Sequence, residues 1–187
     1  MQIILASQSP RRQELLGLLK LPFQIRVADI DETMDPAKPP YEEVARLSKE
    51  KALAIPHDGD DLVIAADTIV VCDGKVLGKP HSEDEARAML SMLSGRAHQV
   101  MTGVTLLRFG RILSHTEVTE VHFRDLSQRE IDGYVESREP MDKAGAYGIQ
   151  GGAALFVEGI AGDYYNVVGL PVCRLQQMLK EMAPELF

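Results

Sequence analysis

The sequence is poor in cysteine: 187 residues carry only Cys72 and Cys173, far apart and without metal-ligand spacing. A disulfide framework and a thiolate metal site are both excluded, and reduced thiols in a cytoplasmic protein are expected. No apolar run reaches the length of a membrane span, so no membrane partner is expected. Positive charge is short, with 20 Lys and Arg against 28 Asp and Glu, a net −8. Long nucleic acid, which needs a broad basic surface, is thereby excluded as a partner. A small polyphosphate held by a local cluster of Lys and Arg is not. Internal repeats and low-complexity segments are missing. The pair Arg11-Arg12 does not make an export signal, because Glu14, Lys20 and Pro22 interrupt the region that would have to be apolar and no small-residue cleavage site follows. With 45% apolar and 26% charged residues, the chain is expected to form one domain over 1–187, or two joined lobes sharing a core.

What is present begins with SQSPRR, Ser7 to Arg12. It follows the apolar run Ile3-Ile4-Leu5 and leads into a segment with Leu15, Leu18 and Leu19 at helical spacing. Ser9 suits the N-cap and Pro10 the first helical position. Arg11 and Arg12 then sit at the positive end of the helix dipole, where an anion is favoured. Ser7, Ser9 and the two arginines therefore read as a phosphate cradle, or else as two solvated arginines on a surface turn.

Phe23–Val27 alternates like a strand and runs into Asp29, Asp31, Glu32 and Asp35, read either as a solvated loop or as a divalent-metal site. Prolines 36, 39 and 40 precede a helix expected over 41–55, whose stripe Val44, Leu47 and Lys51 points a lysine toward the core side. Residues 62–71 are apolar at both parities, as in a strand covered on both faces. Asp67 and Thr68 interrupt it, and a carboxylate there is costly unless paired or opening onto a polar site. Asp73-Gly74 predicts a hairpin whose register sets Cys72 against Lys75, Val70 against Leu77 and Thr68 against Lys79, so that Asp67, Thr68 and Lys79 converge.

Ser82 to Glu85 and Ser127 to Glu130 read as capping boxes opening helices. Between them lie alternating segments near 97–107 and 112–123, joined at Phe109-Gly110, with His98, Thr102, Glu117 and His122 as strand-face polar residues. Residues 139–152, EPMDKAGAYGIQGG, have four glycines in neither Rossmann nor P-loop spacing and suit a binding loop. A strand over 153–160 and a helix after Gly169-Leu170-Pro171, with Leu175, Met178, Leu179 and Met182 inward, complete the chain.

Six stretches in series, SQSPRR, IDET at 30–33, AADT at 65–68, GKP at 78–80, SGRAHQVMTG at 94–103 and DKAGAYGIQG at 142–151, resemble the Maf family of nucleoside triphosphate pyrophosphatases. The resemblance implies an α/β fold with an elongated mixed β-sheet, flanking helices and two lobes around a cleft, similar to the inosine triphosphate pyrophosphatases. It implies hydrolysis of dTTP and UTP, with modified pyrimidine nucleotides as further substrates, to the monophosphate and pyrophosphate, a housecleaning role in the nucleotide pool. A divalent cation, Mg²⁺ or Mn²⁺, would assist. By matching motif, Asp67 would accept the proton, Arg12, Lys51 and Lys79 would contact phosphates, and Glu32 would help hold the metal. Arg11, Thr68 and Gln150 match positions that distinguish the dTTP/UTP branch. Members of the family are often dimers, so a homodimer is expected. Two rivals stand beside this: a non-catalytic nucleotide-sensing regulator linked to septum formation, and a phosphatase releasing inorganic phosphate.

Overall fold

The longest apolar stretch organises the fold. In the computed structural model, which describes residues 1–27 and 29–187, Leu62–Cys72 forms strand β3, buried along its length except at Thr68. Before it come β1 (Ile3–Leu5), helix α1 (Pro10–Gly17), β2 (Gln24–Ile25) and α2 (Pro40–Leu53). After it come β4 (Lys75–Leu77), α3 (Glu83–Leu93), β5 (Ala97–Arg108), β6 (Arg111–Phe123), α4 (Gln128–Glu136), β7 (Val157–Ala161), α5 (Tyr164–Val168) and α6 (Val172–Met182). Among the described residues seven strands form one mixed sheet in the order β2-β1-β3-β5-β6-β7, with β4 paired to β3 off this path. The fold is mixed α/β, as expected. Residue contacts divide the chain into two compact units, residues 1–67, 102–117 and 169–187, and residues 68–101 and 118–168.

In the first unit β1 runs parallel to both β2 and β3, with Ile4 opposite Val63. Ile4, Ala6, Val63 and Ala65 share one face and pack with Ala52, Ile55 and Leu107. Alternation along β3 puts Asp67 on that same side and Thr68 on the other. Helix α2 approaches β5 closely, because a Cβ at Gly103 would lie 2.4 Å from the Val44 carbonyl oxygen. Ser48 Oγ and Thr105 Oγ1 are hydrogen-bonded at 2.8 Å beside this contact. Two expectations need correction. The strand expected over 23–27 is only Gln24–Ile25, an exposed pair with one neighbour strand. Helix α1 ends at Gly17 and buries Leu15 and Leu16, leaving Leu18 exposed. Helix α2 starts at Pro40, whose missing N–H is one the first turn would leave unpaired.

In the second unit Asp73 and Gly74 take φ of 50° and 75°, the left-handed pair of a tight hairpin turn. Cys72–Lys75 and Val70–Leu77 pair as expected, but the ladder stops at Leu77. Thr68 and Lys79 are therefore not cross-strand partners. Ser127 and Glu130 complete the capping box of α4. At α3 only half of one forms, because Glu85 accepts from the His81 N–H instead of the Ser82 N–H. Part of the strand expected over 153–160 is a 3₁₀ turn, Gly152–Leu155, and β7 starts at Val157. His98, expected as a strand-face polar residue, lies on β5 and is buried, with its Nε2 on Tyr147 Oη at 2.8 Å and its ring edge-on to Phe123.

Candidate active site

The turn between β1 and α1 forms as its sequence dictates. Ser9 caps α1, its Oγ accepting from the Arg12 N–H at 3.5 Å. Ser7, buried, accepts from the Ser9 N–H at 3.2 Å and from Arg12 Nη1 at 3.4 Å. Arg12 Nε donates to the Gly169 carbonyl at 2.8 Å, ahead of α6. The guanidinium is thus aimed by two fixed acceptors at the N-terminal end of a helix, where anions are stabilised. Desolvation lowers the Arg12 pKa, the charges of Asp67 and Glu32 oppose that, and the like charge of Arg11 adds to it. A guanidinium remains charged under such a shift. Arg11 is half-buried.

Helix α2 and strand β3 supply the second group. Lys51 Nζ lies 2.6 Å from Asp67 Oδ1 and 2.9 Å from Glu32 Oε1. Asp67 is 8% exposed and Lys51 9%, so the cost of a charge inside an apolar strand is met by a partner. The lysine stripe of α2 therefore ends on a carboxylate, and the ammonium does not snorkel to solvent. The lysine that meets Asp67 comes from α2, whereas Lys79 lies two residues beyond the β3–β4 ladder and is exposed.

The loop carrying Glu32 is tied to the same helix. Glu43 Oε2 accepts from the Asp35 N–H at 2.7 Å, and Arg46 Nη2 donates to the Thr33 carbonyl at 2.9 Å. Glu43 and Arg46 also bond each other, and Glu43, 2% exposed, is held down to about 2 chiefly by Arg46. Sequence reasoning missed this clamp. The available sign was Glu43 itself, which lies on the stripe of Leu47 and Lys51 at four-residue spacing.

Among the described residues no three His, Cys, Asp or Glu side chains form a metal-ligand group. Glu32 and Asp67 nevertheless bring two hard carboxylate donors to one cation, Lys51. That donor set fits Mg²⁺ or Mn²⁺ in the manner usual at phosphate sites, where one or two carboxylates suffice and substrate and water complete the shell.

The second unit carries Thr68, Lys79 and Gln150. Thr68 is half-buried on β3, directly after Asp67 in the chain. The Gly145 N–H donates to the Gly78 carbonyl at 3.0 Å, tying the residue before Lys79 to the glycine-rich segment. That segment is folded into short 3₁₀ turns, with Ala146, Tyr147 and Ile149 buried and Gln150 exposed.

A protein of Bacillus cereus strain G9842 named dTTP/UTP pyrophosphatase is 49% identical over 181 residues, 96% of this chain and 95% of that protein. One of the same name from Bacillus thuringiensis subsp. konkukian is 49% identical over the same shares. Among solved structures, a HAM1 protein from Coxiella burnetii matches 97% of this chain and 99% of its own, with a TM-score of 0.50 and 19% identity. That likeness concerns the fold. Residues 2–182 match the family described as Maf-like protein, and the chain belongs to the Maf family.

Proposed function

We propose that the protein hydrolyses dTTP and UTP to the nucleoside monophosphate and pyrophosphate, and that modified pyrimidine nucleotides are further substrates of this housecleaning reaction. The observation that carries the reading is the Lys51 ammonium between Asp67 and Glu32, beside the guanidinium of Arg12 in charge range of both carboxylates. The relatives named dTTP/UTP pyrophosphatase supply the substrate class.

Attack on the α-phosphorus requires an oriented water, a base and neutralisation of the triphosphate. Asp67 orients the water and takes its proton. In the empty site its charge is paired with Lys51; incoming phosphate oxygens compete for that ammonium and leave the carboxylate available. Arg12 binds phosphate oxygens, its orientation set by Ser7 and Gly169, and Lys79 adds a third cation beside Arg12 and Lys51. Ser7 and Ser9 shape the turn so that α1 presents its N–H groups to the same anion. Glu32, with Asp67, would hold the divalent cation, which neutralises phosphate charge when bound. Arg11, Thr68 and Gln150 select the base. The Gln150 amide, with one donor and one acceptor face, suits the O4 and N3–H edge of thymine and uracil, and cytosine presents the reversed pattern.

The uninterrupted family match over 2–182 supports reading both units as one Maf-like domain. Two free cysteines support a cytoplasmic setting, and among the described residues no helix is long and apolar enough to cross a membrane. A homodimer is proposed from the family's habit, with light scattering as its test. Incubation with a nucleotide panel and Mg²⁺ tests the function. Pyrophosphate from dTTP and UTP is expected; inorganic phosphate alone points to a phosphatase, and binding without product to a sensor.

A further inference from the structure

The turn that carries Gln150 is held by two side chains, Tyr134 on α4 and Glu139 at the start of the glycine-rich segment. The Gly151 N–H donates to the Gly148 carbonyl at 3.1 Å, closing a turn with Gln150 inside it. The Gly148 N–H donates to Tyr134 Oη at 3.1 Å, and the Gly152 N–H to Glu139 Oε2 at 3.0 Å. Tyr134 Oη in turn donates to Glu139 Oε1 at 2.9 Å. The backbone on both sides of Gln150 thus ends on one phenol–carboxylate pair. Tyr134 is buried on α4, edge-on to Phe156 at 5.1 Å, and burial pushes its phenol pKa up, so it stays a donor at neutral pH. Lys143 Nζ donates to the Glu139 carbonyl at 2.6 Å and steadies the carboxylate's own backbone.

The glycines follow from this packing. A Cβ at Gly151 would lie 2.0 Å from Glu139 Oε1, and one at Gly148 2.7 Å from Lys143 Cε. Gln150, between them, stays exposed. A fixed turn with an exposed amide does little for a core. It does spare a ligand the ordering entropy of a loose loop and fixes the point from which the Gln150 side chain extends.

We propose that Tyr134 and Glu139 are positioning residues for base selection, fixing the Gly148–Gly152 backbone so that the Gln150 amide meets the pyrimidine in one orientation. The proposal rests on the role given to Gln150 above. The held backbone sets from which side the Gln150 side chain reaches the base, so loosening the turn opens other approaches from which the amide accepts cytosine.

The test is kcat/KM for dTTP and CTP in Tyr134→Phe, Glu139→Gln, Gly151→Ala, Gln150→Ala and the double variant Tyr134→Phe/Gln150→Ala. Gly151→Ala displaces the Glu139 carboxylate without removing it. The dTTP-over-CTP ratio is expected to fall about tenfold in each of the first three, the size of one lost hydrogen bond. The loss should appear in KM more than in kcat. The double variant should be no less selective than Gln150→Ala alone, because both changes act through the same amide. If Gln150→Ala lowers the ratio while Tyr134→Phe and Glu139→Gln keep it, the positioning role is overturned and the Gln150 reading stands. If Gln150→Ala leaves the ratio unchanged, that reading falls and takes the positioning role with it. Equal losses on both nucleotides in the first three variants also overturn the proposal, since they mark support of the fold alone. Thermal midpoints are measured throughout, and should Tyr134→Phe not fold, Glu139→Gln and Gly151→Ala decide.

Discussion

Asp67 and Lys51 are each costly to bury alone, and each removes the other's cost. Asp67→Asn keeps the size and a polar partner for Lys51, so the fold and nucleotide binding should survive. Turnover should fall by about 10²- to 10⁴-fold, the usual contribution of a general base. Pyrophosphate release near the wild-type rate would remove Asp67 from that role. Arg12→Lys probes geometry rather than charge. A lysine cannot hold the Gly169 carbonyl with one nitrogen, reach Ser7 with another and still present a planar fork to phosphate. We expect at least a tenfold loss of kcat/KM, on the scale of one charge-assisted bond. Wild-type kinetics in the lysine variant would reduce Arg12 to a point charge.

At the scale of elements, the approach of α2 to β5 sets where Lys51 lands. In Gly103→Ala the new methyl would meet the Val44 carbonyl, which is backbone and cannot turn aside. The helix must move, at about 1–3 kcal/mol as for other overpacked contacts. Lower thermal stability and lower turnover should therefore appear together; a stable, fully active Gly103→Ala protein would show that α2 has slack.

The elements also mark what could be read from the chain alone. Capping residues, two-residue turns and the doubly covered β3 were legible because each depends on neighbours in sequence. The partner of Asp67 was not. Alternation and hairpin register suggested Lys79, but the ladder ended early and the ammonium came from α2, sixteen residues upstream. Likewise, Glu43 and Glu139 look like surface carboxylates until the backbone N–H groups they accept from are known. Long-range acceptors leave no periodicity.

For the whole molecule, the acid side of the stability profile is set by groups with depressed pKa values. His98, buried between aromatic rings, is pushed from its ordinary value down to about 4, mainly by desolvation. It binds its proton more readily unfolded than folded. Its stabilising share is thus complete above about pH 6.5 and is lost as pH falls toward 4. Glu43 and Glu130, both held at about 2 by arginines, add a loss below about pH 4.5. Urea midpoints should decline in two stages between pH 7 and 3. In His98→Gln the upper stage should flatten and the lower one remain; an unchanged upper stage would assign it to another group.

The parallel pairing of β1 with β3 has a consequence in time. β3 with β4 and β5 with β6 are joined by two-residue turns and can form within microseconds. Ile3 opposite Leu62 instead closes all the intervening chain, at an entropic cost about 3 kcal/mol above that of a hairpin loop. Ser7 and Arg12 follow directly on β1, and Asp67 lies in β3, so they come together only once that late pairing is made. A refolding molecule should regain most of its strand signal before it can hold a triphosphate, and it passes through an interval in which it is largely structured but cannot yet act.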